Sequence, residues 1–442
     1  MNNLSRRKFL EKSALAAVAI PAFNGLILSS SKAQPVVGAN DKIRIGIIGC
    51  GGMGRGNLST FLSNPEVDCA VICDVDDAQI AKGIAIVEKN RKQKPESTKD
   101  FRRVLDRKDI DAVVISTPDH WHAIPTVLAC QAGKDIYVEK PLATTIDEGR
   151  AMLEATTRHN RIVQMGAPRR SSAHIKEAAQ LVRSGKLGKV GLVRGWAHLD
   201  WLGGVGNPAD SAPPAGVDYD MWLGPAPKRP FNPNRFHFNF RWFWDYAGGL
   251  MTDWGVHLLD VLLYGMPKEN PISVSSTGGK YVLTDNSETP DTQIAMYEFP
   301  SFTLLWEHKV GTGLGINGRP WGMQWVGSEG TLIINDAGYE IISEPKKKSL
   351  EHVEVKGAGG AGHPNHVRNF LDCMKTRAQP TTNLEIGHHV STIAHLGNIA
   401  LRSNSKVIWD AKNERVTDNK KADKLVGVEY RKPWKLPYSK RA

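Results

Sequence analysis

Three side chains in this sequence have the types needed to take a proton from an alcohol while a hydride leaves the same carbon: Lys140, Asp253 and His257. Asp253 and His257 stand four apart in a stretch that reads as a helix running to Tyr264, so they share one face. A carboxylate beside an imidazole fixes its tautomer and raises its basicity, which makes His257 the expected general base. Such a base works from within about 3 Å of the hydroxyl, and a cation is needed to stabilise the developing alkoxide. Lys140, at the end of the strand-like run Asp135 to Val138 and followed by Pro141, is the expected cation.

A departing hydride needs an acceptor, and the sequence provides a place for one. The apolar run Lys42 to Ile48 leads directly into Gly49-Cys50-Gly51-Gly52-Met53-Gly54, which opens a helix-like stretch to Asn64. Asp74 follows Gly54 by twenty residues, at the end of the run Val67 to Cys73. Strand, GxGxxG, helix and a later acid form the fingerprint of a dinucleotide site. Glycine lets the main chain approach a pyrophosphate, and the helix N-terminus offers it amide hydrogens and positive dipole. Asp74 is expected to accept from the ribose hydroxyls and to repel a 2′-phosphate, favouring NAD over NADP. The alternative is a glycine-rich turn in a doubly wound sheet without a nucleotide.

The elements that must position these groups alternate. Asp111 to Ser116 reads as a buried strand, Ile124 to Ala132 as a helix, and Asp135 to Val138 and Arg161 to Met165 as further strands. That order predicts a mostly parallel sheet with ligands gathered beyond its carboxyl ends. Two loops leave those ends, Thr117-Pro118-Asp119-His120-Trp121-His122 and Glu139-Lys140-Pro141. Further on, the Gly-, Pro- and Asn-rich segment 202–233 reads as long ordered loops over the site. Alternating stretches at 272–276, 292–298, 303–309, 321–326 and 331–334 give a second sheet, and helices return at 366–375 and 385–401. The expected divisions are 41–165, 166–412 and a charged tail, 413–442, expected to wrap a neighbouring subunit.

Composition excludes several classes. The 442 residues are 41% apolar and 23% charged, ordinary for a chain with a core, and no internal repeat is visible. The net charge of +11 is scattered and lacks an aromatic-basic ladder, which argues against nucleic acid. Residues 1–33 read as a twin-arginine signal peptide: Ser5-Arg6-Arg7-Lys8-Phe9-Leu10, a mildly apolar stretch, then Ser31-Lys32-Ala33 before a cut. A periplasmic or exported protein that meets the twin-arginine machinery already folded around its cofactor is the expectation. Five cysteines without a CxxC pair read as small core residues.

The glycine loop, Asp74, the TPDHWH loop and Glu139-Lys140-Pro141 occur in the order and at the spacings that resemble the glucose-fructose oxidoreductase / inositol dehydrogenase (Gfo/Idh/MocA) family. The second half is similar too, in Tyr219-Asp220-Met221-Trp222-Leu223-Gly224-Pro225 and Gly248-Gly249-Leu250-Met251-Thr252-Asp253-Trp254-Gly255-Val256-His257. The resemblance implies an α/β protein: an N-terminal Rossmann domain with a doubly wound parallel sheet, then an α/β domain whose large open, mainly antiparallel sheet carries the substrate site and often the oligomer interface. It places the family's catalytic lysine on Lys140 and its Asp-xxx-His pair on Asp253 and His257. It also implies that Thr117, Pro118, His120, Trp121, His122 and Glu139 line the cofactor and that the protein is a homo-oligomer; NAD(H) is expected to be tightly held, because free nicotinamide is scarce outside the cytoplasm.

A metal reading of His120 and His122 finds no further ligand at motif spacing, so no metal is expected. The set His363, His366, His388 and His389 reads as surface or helix-capping, with a place at a substrate rim as the alternative. Tryptophans concentrate between Trp196 and Trp325, and flat rings beside Arg and Asp suit a sugar. Arg169, Arg170, Arg241 and Trp242 are the candidate substrate contacts. The expected activity is NAD-dependent interconversion of a secondary hydroxyl and a ketone on a sugar, a glycoside (at C3 by resemblance) or a cyclitol, with a keto-glycoside lyase as a partner. The rivals are an NAD-dependent glycoside hydrolase working through a transient keto sugar, against which the intact Glu139-Lys140-Pro141 argues, and a non-catalytic sugar- or nucleotide-binding protein.

Overall fold

The computed structural model describes residues 42–202, 204–347, 349–357, 359–360 and 362–439; the segment read as a signal peptide lies outside them. Its first sheet is built from β1 (Ile43–Ile48), β2 (Val67–Cys73), β3 (Glu96–Thr98), β4 (Ala112–Ile115), β5 (Asp135–Glu139) and β6 (Val163–Gly166). All are parallel, in the order β3-β2-β1-β4-β5-β6. These strands are short apolar runs because helices cover both sheet faces, leaving no solvated side to alternate toward. The helices start where side chains can satisfy their first amides: Asp76 caps Asp77–Arg91, and Thr145 with Glu148 forms a capping box on Ile146–His159. The helix Gly52–Leu62 differs. Its N-cap, Gly51, makes no side-chain bond, so its amides face the cleft beyond β1.

The second sheet has ten strands: β7 (Val190–Leu199), β8 (Ser273–Gly279), β9 (Thr292–Glu298), β10 (Thr303–Val310), β11 (Trp321–Gly327), β12 (Gly330–Asn335), β13 (Gly338–Ser343), β14 (Val353–Lys356), β15 (Val407–Asp410) and β16 (Arg415–Val416). Their order is β14-β13-β12-β11-β7-β10-β9-β8-β15-β16, antiparallel except for the β7–β10 pair. The expected stretches are found there. The central strand β7 was not expected, because Arg194 and His198 break its apolar pattern.

One face of this sheet carries the helix Gly249–Gly265, which holds Asp253 and His257. Leu258 and Leu262 of the helix lie over Gly195 of β7, and the indole of Trp325 donates to Leu262 O at 3.2 Å. Arg170, in the short turn Pro168–Ser171 that follows β6, ties down the same helix through Asp260, Nε to Oδ1 at 2.6 Å, with both side chains buried.

The tail packs on its own first domain. β16 joins the second sheet, and Trp434 packs edge-on against Trp121 with ring centroids 4.8 Å apart. Tyr438 sits beside His159 and under the guanidinium of Arg158. Aromatic side chains at the end of a charged segment find their apolar partners within the chain. All five cysteines are buried and free, as small core residues.

Candidate active site

Beyond the carboxyl ends of β1, β2, β4 and β5 lies a cleft of about 700 Å³, closed on its other side by the second domain. Gly51, Gly52 and Met53 line one end together with Asp74; Thr117, Pro118, Trp121 and Glu139 form a side; Lys140, Arg241, Asp253 and His257 gather at the other end.

The glycine loop is built for close approach. A Cβ on Gly54 would fall 2.1 Å from Gly49 O, while one on Gly51 or Gly52 would meet nothing within 4 Å. The first distance packs the helix onto the turn; the second leaves room in front of its amides. Gly49 has φ +88° and lies against Ser116 and Thr117 backbone, where no other side chain fits. Gly54→Ala is expected to cost about 1–3 kcal/mol through overpacking and to lower dinucleotide affinity with it, both read by thermal melts with and without NAD. Asp74 is oriented by two amides, Cys50 N to Oδ2 at 2.6 Å and Asp76 N to Oδ1 at 3.0 Å, which leaves lone pairs facing the cleft.

At the opposite end, Lys140 Nζ donates to the carbonyl of Asp253 at 3.1 Å and forms a tight ion pair with its carboxylate oxygen Oδ1. Arg241 Nε lies 3.2 Å from Oδ2, a charge contact whose N–H is not aligned for a hydrogen bond. Burial works against the Asp253 carboxylate, but the Lys140 and Arg241 charges prevail and hold it well below the usual range. His257 sits one helical turn on. Its Nδ1 is buried and has no hydrogen-bond partner among the described residues. Burial, reinforced by the charges of Lys140 and Arg169 and opposed by Asp253, pushes the imidazole well below its ordinary value, so it is neutral near pH 7.

The Asp253–His257 pairing expected from sequence is therefore corrected. Both side chains face the cleft, but the carboxylate serves the two cations, which bind it more strongly than a neutral ring does. The arrangement presents a fixed ammonium beside a neutral imidazole with a free lone pair. That is an acid–base site for an alcohol or a carbonyl.

The description "Oxidoreductase family, NAD-binding Rossmann fold" matches residues 43–167, and that family's C-terminal alpha/beta domain matches residues 171–283 and 353–436. The chain belongs to the Gfo/Idh/MocA oxidoreductase family. A "Glycosyl hydrolase family 109 protein" of Shewanella pealeana is 36% identical over 161 residues, 33% of this chain and 35% of that protein. The chain thus matches only about a third of that curated relative's length. The fold resembles levoglucosan dehydrogenase solved with NADH and levoglucosan, at TM-score 0.66 and 19% identity over 83% of this chain and 99% of the other. It also resembles the WlbA dehydrogenase from Bordetella pertussis in complex with NADH and UDP-GlcNAcA, at TM-score 0.62 and 17% identity over 84% and 99%.

The family description names an NAD-binding Rossmann fold, and the residues of this chain fit that cofactor. The open space in front of Gly51 and Gly52 and the uncapped helix suit a pyrophosphate. Asp74 suits a ribose. The buried Thr117 Oγ1, without a partner among the described residues, lines the same cleft. Asp74→Ala is expected to weaken NAD binding about tenfold, the loss of one charge-assisted hydrogen bond, and to narrow the preference over NADP; titration with both nucleotides reads it.

Other expected contacts lie elsewhere. His120 turns away from the cleft toward a second cavity, with Nε2 2.9 Å from Trp222 O. His122 is fully buried and braces two loops, its nitrogens 2.8 Å from Pro141 O and 3.0 Å from Thr117 O. The tight turn at Asp119–Trp121 directs Asp119 and Trp121, not the histidines, into the cleft. Arg169 pairs with Asp336 and stacks over Trp254 and Trp321, and Arg170 is committed to Asp260. Each guanidinium is taken by an acid distant in sequence. Trp242 is buried away from the cleft; Arg241 alone of the four faces it.

The sequence reading missed Asp119, Phe238 and Phe240, which also line the cleft, and the support behind Glu139. Asn57 Nδ2 donates to Glu139 Oε1 at 2.8 Å, and His363 Nε2 lies 2.8 Å from Asn57 Oδ1. His363, read as a surface or capping residue, thus joins the second domain to the Rossmann helix. His366 and His388 are buried as well, against Ser171 and Glu414. Burial pushes the Asp119 carboxyl well above the usual range, Lys140 opposing and Asp253 adding. The only sequence signal for it was its place in the TPDHWH loop.

Proposed function

We propose that this enzyme interconverts a secondary ring hydroxyl and a ketone on a sugar, a glycoside or a cyclitol. The observation that carries the reading is Lys140, fixed by Asp253, standing with the unpartnered His257 in the cleft that the glycine loop enters. When bound, the nicotinamide supplies the acceptor for the carbinol hydride. His257 takes the hydroxyl proton on a ring nitrogen that is neutral and free to accept it. The Lys140 ammonium stabilises the oxygen as charge develops there, and Arg241 keeps Asp253 ionised so that Lys140 stays oriented. Phe238 and Phe240 offer apolar faces at the same end. The sugar ligands named for the structural neighbours support the substrate class, and oxidation at C3 with a separate keto-glycoside lyase completes the reading.

A second reading has its own observation, the name "Glycosyl hydrolase family 109 protein" carried by the Shewanella relative. On that reading the same oxidation is transient and ends in cleavage without net redox change. Aryl glycosides separate the two. NAD-loaded protein that shows a nicotinamide absorbance change without aglycone release supports the dehydrogenase; catalytic aglycone release without an acceptor supports the hydrolase. Neither signal over a panel of sugars, glycosides and cyclitols sinks both.

The Arg6-Arg7 segment supports export by the twin-arginine route. We place the mature protein in the periplasm with its NAD(H) tightly held, because nicotinamide nucleotides are scarce there. The outward face of β9, with Ile294 and Met296 about half exposed, supports a homo-oligomer.

A further inference from the structure

Asp119 stands in the wall of the catalytic cleft with nothing to hold. It opens the tight turn Asp119–Trp121 that follows β4, and it is 6% exposed. The other acids of the cleft are engaged: Asp74 accepts two amides, Glu139 accepts the amide of Asn57, and Asp253 takes both Lys140 and Arg241. Among the described residues, no hydrogen bond from another residue and no ion pair reaches the Asp119 carboxyl. Its oxygens, unlike His257 Nδ1, are not shut off from the cleft. A buried carboxyl without a partner costs stability, so its place in this wall points to a ligand.

The surroundings narrow the class of that ligand. The charges that act on Asp119 are those of Lys140, Asp253 and Arg241, which gather at the catalytic end, away from Asp74 and the glycine loop. An amine brought here would meet Lys140 and Arg241, and a carboxylate would meet Asp253. A hydroxyl meets neither objection. Burial moves the Asp119 carboxyl toward the neutral acid against the pull of Lys140, and in that form it gives one hydrogen bond and accepts others, as an alcohol does. Phe238 and Phe240 line the same end and suit the apolar face of a ring.

We propose that Asp119 is a substrate-binding residue whose carboxyl hydrogen-bonds a second hydroxyl of the ring that presents its reacting hydroxyl to Lys140 and His257. The inference rests on the sugar or cyclitol reading above and adds to it that the substrate is a polyol held at two oxygens. Two anchors, unlike one, fix which carbon of the ring presents its hydrogen for transfer.

The test uses the full-length NAD-loaded protein with D-glucose, myo-inositol and the nitrophenyl α- and β-D-glucosides as probes, turnover being read by nicotinamide absorbance and by nitrophenol release. On the probe turned over best, Asp119→Ala is expected to raise KM about tenfold, the loss of one buried hydrogen bond, and to leave kcat nearly unchanged, because the hydroxyl it holds is not the one that reacts. NADH affinity by fluorescence titration is expected to hold, and Tm to stay level or rise, since no bond within the chain is lost. Asp119→Asn keeps a donor and an acceptor in place and is expected to recover most of the KM. One monodeoxy analogue of the probe is expected to serve wild type and Asp119→Ala equally poorly, which identifies the hydroxyl. A KM that Asp119→Ala leaves unmoved, a loss confined to kcat or to NADH affinity, a lowered Tm, an Asp119→Asn protein as poor as Asp119→Ala, or a penalty that persists on every monodeoxy analogue each overturns the inference while leaving the oxidation of the ring intact. Wild-type protein that turns over none of the probes removes the reading beneath it, and the inference with it.

Discussion

Lys140→Ala is expected to lower kcat by about 10²–10⁴-fold, the range for losing one charge-stabilising or acid–base group, while the protein still folds and binds NAD. Among the described residues this is the only lysine in the cleft end that also holds Asp253 and His257, and it is fixed there by both the carbonyl and the carboxylate of Asp253. Removing it leaves Asp253 with Arg241 as counterion, so the buried carboxylate is not stranded. The glycine loop and Asp74, at the far end, are untouched. Lys140→Arg is not expected to rescue, since a planar guanidinium cannot reproduce a compact ammonium held between two oxygens. Asp253→Asn separates positioning from chemistry: it keeps the volume but frees Lys140, so the loss should fall on kcat with a changed pH profile. A rise in KM alone for Lys140→Ala, with kcat intact, would show the residue to bind substrate uniformly.

What could be read from sequence was what is encoded locally. Gly49, Gly54 and Asp74 take their roles from one strand, one turn and one helix, so spacing suffices. Asp253 and His257 were placed on one helix face by their interval of four. The partner of Asp253 was not legible, because Lys140 arrives from the end of β5 and Arg241 from a loop of the second domain. The same holds for Arg169 and Arg170, whose acids Asp336 and Asp260 are 167 and 90 residues away. His120 and His122 flank Trp121 in sequence, yet one short helical turn decides which of the loop's side chains enter the cleft, and three residues are too few to show a period. The place of the tail was not legible either, because Trp434 and Tyr438 pack against Trp121 and His159, which lie hundreds of residues earlier in the chain.

Acid is expected to destabilise this protein as the pH falls below about 6. His120, His308, His366 and His395 are at most 6% exposed, and burial pulls each from 6.5 to about 4. Each donates from Nε2 to a backbone carbonyl, of Trp222, Pro290, Met165 and Ala143 respectively, which fixes its tautomer, while burial outweighs that bond and keeps the ring neutral. In the unfolded chain the same rings titrate near 6.5. Between the two values the unfolded state binds more protons, so this contribution to stability is complete above about pH 6.5 and is lost as pH falls toward 4. Each ring then costs roughly 1 kcal/mol per pH unit, so the four together are a sizeable part of an ordinary total of about 5–15 kcal/mol. His122 is left out of the sum because its ring faces two carbonyl oxygens, which a protonated imidazole would satisfy better than a neutral one. Melting curves from pH 7.5 to 4.5 at fixed ionic strength should show Tm falling steeply below about pH 6, and His308→Gln should reduce the slope by about a quarter. A Tm that stays level to pH 4.5 would mean these rings remain protonable in the fold.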